Sequence, residues 1–310
     1  MADLVVEVDP VDVGLDADRL GRIDQHFRRY VDDGRLPGWL AVVSRHGQVA
    51  HIASAGHRDI DSGAPITSDT LYRIYSMTKP ITSVAAMMLY EEGAFELKDS
   101  VRRYLPSFRD TPVYKGGSAG APQLVPQLEP MRIWQLFTHT SGLSYGFHHA
   151  HPVDAIYRKQ GFEWGSPKGL DTAQTIDELA RLPLVFQPGT SFNYSMSTDV
   201  LGRLIEVWSG QRLDEFLRTR LFGPLGMDET SFWVDGNDLD RLAALYIPFG
   251  ENGRAVRWDQ GGAAATREQS FLSGGGGLVS SAGDYHRFME MLRRGGELDG
   301  VRILGPRTVD

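Results

Sequence analysis

The sequence predicts an α+β fold, with a sheet near the N-terminus and a large, mostly helical remainder. Two patterns carry this expectation. Residues 39–44 and 48–53 are short apolar runs flanking Arg45-His46-Gly47, the signature of a β-hairpin. From residue 70 onward the apolar spacing is mostly three and four, the period of helices. A hairpin alone is marginal in water, so it needs more strands or covering helices.

In chain order, residues 16–31 carry Leu20, Ile23, Phe27 and Val31 at helical spacing, and Asp32-Asp33-Gly34 ends that helix. The hairpin follows, then a turn at Ser62-Gly63-Ala64-Pro65. The series Ile81, Val84, Ala85, Met88, Leu89 predicts a helix. Pro80 fits only near its start, where a missing N–H costs little. Helices are expected over 132–139, 175–182, 199–208 and 213–221, the third stopping at Gly210. Ser281-Ala282-Gly283-Asp284 reads as a capping box opening a helix through Met291. Residues 114–130, rich in Gly, Pro and Gln, and 250–266, rich in Gly and Ala, read as loops of a length that is often functional. Residues 305–310 read as a turn and the opening of a helix. With only one hairpin in view, the expectation is that C-terminal strands and a final helix are missing from this chain, and that by itself it is poorly stable or inactive.

Composition narrows the function classes. Hydrophobic residues make up 41% of the 310 and charged ones 23%, ordinary for a soluble globular protein. A net charge of -8 gives no general attraction to nucleic acid or an anionic membrane. The absence of cysteine excludes disulfides, a thiol nucleophile and thiolate metal sites. No run approaches the ~18 apolar residues of a membrane span. The opening residues lack the basic region of a signal peptide, so the cytoplasm is the expected compartment. No motif calls for a cofactor or a metal. The expected partner is a small molecule, with the oligomeric state left open.

The chemistry concentrates at Ser76 and Lys79, three apart at the helix start that Pro80 marks, and therefore on one face. A serine hydroxyl is a poor nucleophile until a base takes its proton. A lysine serves as that base where burial and the positive helix end favour the neutral amine. The free N–H groups of a helix N-terminus can hold an oxyanion. By itself, Ser-x-x-Lys also fits an ordinary helix start with a solvated lysine. Tyr194, just before a helical run, reads either as half-buried packing or as a phenol that moves protons beside a cation. The run 273–280 holds four consecutive glycines, a turn that permits close backbone approach or simply a loop.

Several stretches in order resemble the serine β-lactamase and penicillin-binding-protein family on its class C side, and within it the carboxylesterase branch called family VIII. They are Thr70-Leu71-Tyr72-Arg73-Ile74-Tyr75-Ser76-Met77-Thr78-Lys79-Pro80, Leu136-Phe137-Thr138-His139-Thr140-Ser141-Gly142-Leu143, Gln187-Pro188-Gly189-Thr190 with Tyr194-Ser195, Asp199-Val200-Leu201-Gly202, Pro224-Leu225-Gly226-Met227, and residues 274–280. The resemblance implies a β-lactamase-like fold, a helical domain inserted into an antiparallel sheet with flanking helices. Residues 1–66 would be the N-terminal part of the sheet domain, and 67–310 the mostly helical domain with its return to the sheet truncated. It also implies Ser76 as nucleophile, Lys79 as its activating partner and Tyr194 as general base, with an acyl-enzyme that water releases. The expected substrates are small, short-acyl esters. A β-lactamase or D-amino-acid peptidase, and a non-catalytic ligand-binding protein of the same fold, are the alternatives.

Two departures from the family pattern matter. The lactamases carry Tyr-x-Asn, whose amide helps hold the substrate's side-chain amide, whereas Met196 stands here and a thioether cannot donate. No Lys-Thr-Gly or His/Trp-x-Gly triplet follows Gly277, so the strand that supplies the second oxyanion donor is not in evidence. Other motifs are set aside. Gly116-x-Ser118-x-Gly120 matches a nucleophile elbow but lacks the strand-to-helix setting. His148-His149-Ala150-His151 lacks a completing carboxylate for a metal. His139 is expected to brace its loop. Trp134, Trp164, Phe186 and Trp233 are expected in the core, with part of 145–164 lining an acyl pocket.

Overall fold

A computed structural model describes residues 4–310. The chain forms two compact units: residues up to 73 with 222–268 and 279–301, and residues 74–221 with 269–278 and 302–310. This division differs from the expected 1–66 and 67–310. The chain returns twice to the first unit, and residues 71–73 belong there because they pair with a strand some two hundred positions away.

The main elements run α1 (Ala17–Asp32), β1 (Gly38–Arg45), β2 (Gln48–Asp59), β3 (Ala64–Pro65), β4 (Leu71–Arg73), α2 (Thr78–Glu91), β5 (Val113–Ser118), β6 (Ala121–Val125), α3 (Ile133–Phe137), α4 (Pro152–Lys159) and α5 (Thr172–Leu179). After these come α6 (Ser197–Ser209), α7 (Leu213–Leu217), the single turn α8 (Gly223–Leu225), β7 (Tyr246–Phe249), β8 (Arg254–Arg257), α9 (Asp259–Gly262), β9 (Val279–Ser281) and α10 (Ala282–Arg293). No described helix is long and apolar enough to cross a membrane.

In the first unit, Asp16 stands just outside α1 and caps it by accepting from the Arg19 N–H at 3.1 Å. The predicted hairpin is β1 and β2, antiparallel, with Val42 opposite Ile52. Its two-residue turn places His46 at φ 57° and Gly47 at φ 85°, the left-handed pair that matches strand twist. β3 adds a third strand at the Gly63 turn. β4 pairs antiparallel with β9, Tyr72 opposite Ser280, over a cluster of Leu71, Val234, Ala265 and Val279. The stretch 250–266, expected as a loop, holds part of the β7–β8 hairpin and α9. Ser281 caps α10 by accepting from the Asp284 N–H at 3.2 Å. The expected box is only half made, because the Asp284 carboxylate turns to Glu229 and Thr230 instead. A cavity of about 560 Å³ in this unit is walled by Arg58, Arg73 and Arg257, whose guanidiniums bond neighbouring carbonyls and carboxylates.

The second unit is built on α2 packed against α6. Ile81 and Ala85 from one, Val200 and Leu204 from the other, are fully buried. α6 ends at Gly210, φ 72°, a position where glycine carries no Cβ penalty. Asp171 and Gln174 form a reciprocal capping box on α5. The expected loop 114–130 holds β6 and all of β5 but Val113, a hairpin tied by Tyr114 opposite Leu124. The Gly-x-Ser-x-Gly match lies at its tip. Ser118 Oγ accepts from the Ala121 N–H at 3.3 Å, and a strand follows rather than a helix.

Candidate active site

Ser76 lies in a tight turn, Tyr75–Met77, that runs directly into α2, with Pro80 in the first helical turn. The turn is pinned on both sides to the end of the glycine run. Ile74 N–H donates to Leu278 O at 3.0 Å, and Leu278 N–H donates to Thr78 Oγ1 at 3.2 Å. Tyr75, immediately before the serine, holds φ 41°, a left-handed conformation that side chains other than glycine rarely adopt.

Lys79 Nζ donates to Gly275 O at 2.6 Å and to Ser76 Oγ at 3.3 Å. The second contact is long for a charge-assisted bond, as such contacts often are without substrate. Tyr194 OH lies 2.6 Å from Ser76 Oγ. The lysine ammonium sits 4.5 Å from the centre of the Tyr194 ring. The three residues named from the sequence therefore meet at one hydroxyl, two from a helix start and one from a loop 118 residues on.

The loop carrying Tyr194 is braced from below. His139, at φ 54°, accepts the Asn193 N–H on its carbonyl at 2.9 Å and the Ser195 N–H on Nδ1 at 3.2 Å. Burial first, then the Lys79 charge, lowers the His139 pKa to about 4, so the ring is neutral at pH 7. A buried hydroxyl chain, Ser141–Ser197–Ser195, runs beneath at 2.7 Å per step. Met196 is 1% exposed and packs in the core.

Asp199 has a part in this geometry that its motif did not reveal. It is 2% exposed, and its Oδ1 accepts from Ser273 Oγ at 2.5 Å and from Gly275 N–H at 3.1 Å. The carboxylate thus fixes the residue whose carbonyl holds Lys79. Burial pushes its pKa up, while Ser273, Gly275 and the Lys79 charge oppose that rise. A Cβ on Gly275 would stand 2.5 Å from Asp199 Oδ2, and one on Gly274 would stand 2.7 Å from Thr198 O. The glycine run therefore serves close backbone approach, one of its two readings. The available signal for Asp199 was a carboxylate within the apolar run of α6.

The expected placement of the large aromatics is corrected. Trp164 is 70% exposed and Trp134 is also exposed, while Phe186 and Trp233 are half-buried. Trp164 stands on a turn-rich segment where it stacks on Phe147 rather than entering the α2–α6 core. In the histidine cluster, His151 Nδ1 caps α4 by accepting from the Val153 N–H at 3.2 Å. Asp154 accepts from the Ala150 and His151 N–H groups.

A hydroxyl with a cation and a phenol at its oxygen, on this arrangement of helices and small antiparallel sheets, defines a serine-hydrolase type of enzyme. A Beta-lactamase family profile matches residues 23–309, and the chain belongs to that family. It is 38% identical to Protein Rv1367c of Mycobacterium tuberculosis, over 91% of this chain and 69% of that protein. It is 32% identical to Esterase EstB of Burkholderia gladioli, over 92% and 73%. Among solved structures it is similar to EstCE1, described as a hydrolase with promiscuous acyltransferase activity. That likeness has 29% identity and a TM-score of 0.77, over 94% of this chain and 75% of that one.

Proposed function

We propose that this enzyme is a carboxylesterase for small, short-acyl esters, acting through an acyl-enzyme on Ser76. The observation that carries the reading is the 2.6 Å contact of Tyr194 OH with Ser76 Oγ, with Lys79 bonded to the same oxygen. Tyr194, as phenolate, takes the Ser76 proton while Oγ attacks the ester carbonyl carbon. The Lys79 ammonium beside the ring stabilises the charge on the phenol oxygen. As the tetrahedral intermediate collapses, the C–O bond to the alcohol breaks and the leaving oxygen takes the proton from Tyr194. Water then attacks the acyl group with the same base, releasing the acid and restoring Ser76.

Met196 supports esters over β-lactams and peptides. No amide donor follows Tyr194 to hold a substrate side-chain amide, a contact a simple ester does not need. The likeness to an esterase by name supports the same choice. Turnover of p-nitrophenyl butyrate by the protein and by Ser76→Ala is the test. The variant is expected to lose activity by at least ~10³-fold, and equal rates end the proposal. Nitrocefin turnover matching the ester rate would favour the lactamase reading instead.

A further inference from the structure

A series of rings leads away from Tyr194. Tyr145 lies 5.6 Å from it, Phe147 stacks on Tyr145 at 4.7 Å and 21°, and Trp164 stacks on Phe147 at 5.4 Å and 15°. The inner end is half-buried, and burial pushes the Tyr145 hydroxyl well above its ordinary pKa, so this ring stays neutral. The outer end is exposed at Trp164. Near the nucleophile the chain also exposes Tyr75 and Met77 on either side of Ser76. Single exposed aromatics are common, but a continuous series ending at a reactive hydroxyl marks a binding surface.

Resting on the esterase reading above, we infer that the Tyr145–Phe147–Trp164 wall is the subsite for a flat aromatic group on the alcohol half of the ester. Aromatic guests gain offset-stacked or edge-to-face contact with such rings beyond simple area burial, which an alkyl chain does not. The choice of half follows from the proton path. The leaving oxygen must come to Tyr194 for its proton, and Tyr145 is the ring of the wall that adjoins Tyr194. A substituent on that oxygen runs outward along Phe147 to Trp164. The acyl group, attached to the carbon that Ser76 attacks, is not tied to that direction.

Three substrates separate the possibilities: 2-naphthylmethyl acetate, with the ring on the alcohol; ethyl 2-naphthylacetate, with the ring on the acid; and ethyl acetate. In Trp164→Ala, the kcat/KM ratio of 2-naphthylmethyl acetate to ethyl acetate is expected to fall roughly three- to tenfold, mostly through KM. Phe147→Leu, which keeps an apolar side chain without a ring, is expected to shift the ratio the same way. The ratio for ethyl 2-naphthylacetate is expected to move less than about twofold. A ring-on-alcohol ratio within about twofold of the unaltered protein overturns the inference, as does a loss confined to the ring-on-acid substrate. Calorimetric binding of 2-naphthylmethanol needs no turnover. Weaker binding to Trp164→Ala supports the wall even in a protein that hydrolyses no ester, the result that would sink the esterase reading alone. Equal binding overturns the wall whatever the hydrolysis.

Discussion

Asp199 and Asp284 are built alike and used differently. Each is the third residue of its helix, α6 in one unit and α10 in the other, and each is almost wholly buried. Each carboxylate accepts one hydroxyl and one backbone N–H from a distant segment. Asp199 takes Ser273 Oγ and Gly275 N–H, and Asp284 takes Thr230 Oγ1 and Glu229 N–H, both at 2.8 Å. Burial raises both pKa values, that of Asp284 to about 6. The surrounding charge differs in sign. The Lys79 cation opposes the rise at Asp199, whereas Glu229 and Asp228 add to it at Asp284. The same anchor thus ties a chain crossing in one unit, while in the other it fixes the carbonyl that aims a lysine at Ser76.

That contrast breaks first under truncation. Asp199→Ala orphans two donors and releases Gly275. It is expected to cost on the order of 1–3 kcal/mol of stability and roughly 100-fold in kcat/KM for p-nitrophenyl butyrate. Asp284→Ala is expected to cost similar stability in urea unfolding while kcat/KM stays within about threefold. An equal loss of activity in both variants would erase the distinction. Gly275→Ala sharpens it by forcing a Cβ against Asp199, with an expected drop of about tenfold in kcat. An unaltered rate would show that the Gly275 carbonyl does not set the lysine's position.

The smallest effect is in pH dependence. The folded protein holds the Asp284 proton more tightly than the unfolded chain. The stability this carboxyl contributes is fully present below about 3.8 and is lost as pH rises through about 6. His139 runs the other way. Its folded pKa of about 4 lies below the ordinary 6.5, so its contribution is present above 6.5 and is lost as pH falls toward 4. Asp284→Asn keeps an acceptor but does not titrate. Between pH 6.5 and 4 its Tm is expected to fall more steeply than that of the unaltered protein, by about 2–4 °C. Parallel Tm curves would count against the raised Asp284 pKa.

Legibility in the sequence followed locality. The start of α2 announces itself through Pro80 and the spacing Ile81, Val84, Ala85, and the first hairpin through two apolar runs around a short turn. Tyr194 is not separable from ordinary packing by its own neighbours, and family resemblance was needed to single it out. β4 and β9 are three residues each and find one another across the chain, so no local pattern reports them. β5 and β6 hide behind Gly116, Gly117 and Pro122, residues that disfavour strands yet are tolerated in a hairpin with exposed edges. The capping box at Ser281 failed by half because Asp284 had better acceptor work elsewhere, which only the folded chain can reveal. Trp164 reads as core by residue type and also falls in the 145–164 stretch expected at a pocket, and nothing in its neighbours reports that it stacks on Phe147.

The left-handed backbone at Tyr75 is a standing load on the fold, of about 1–3 kcal/mol for a residue with a side chain. Glycine there would relieve it and would also free the turn to sample other angles, so that the hydroxyl one residue on would spend less time under its two partners. A search for thermostable variants would pull on this position, and whatever rigidity it recovered elsewhere would come with a slacker trigger.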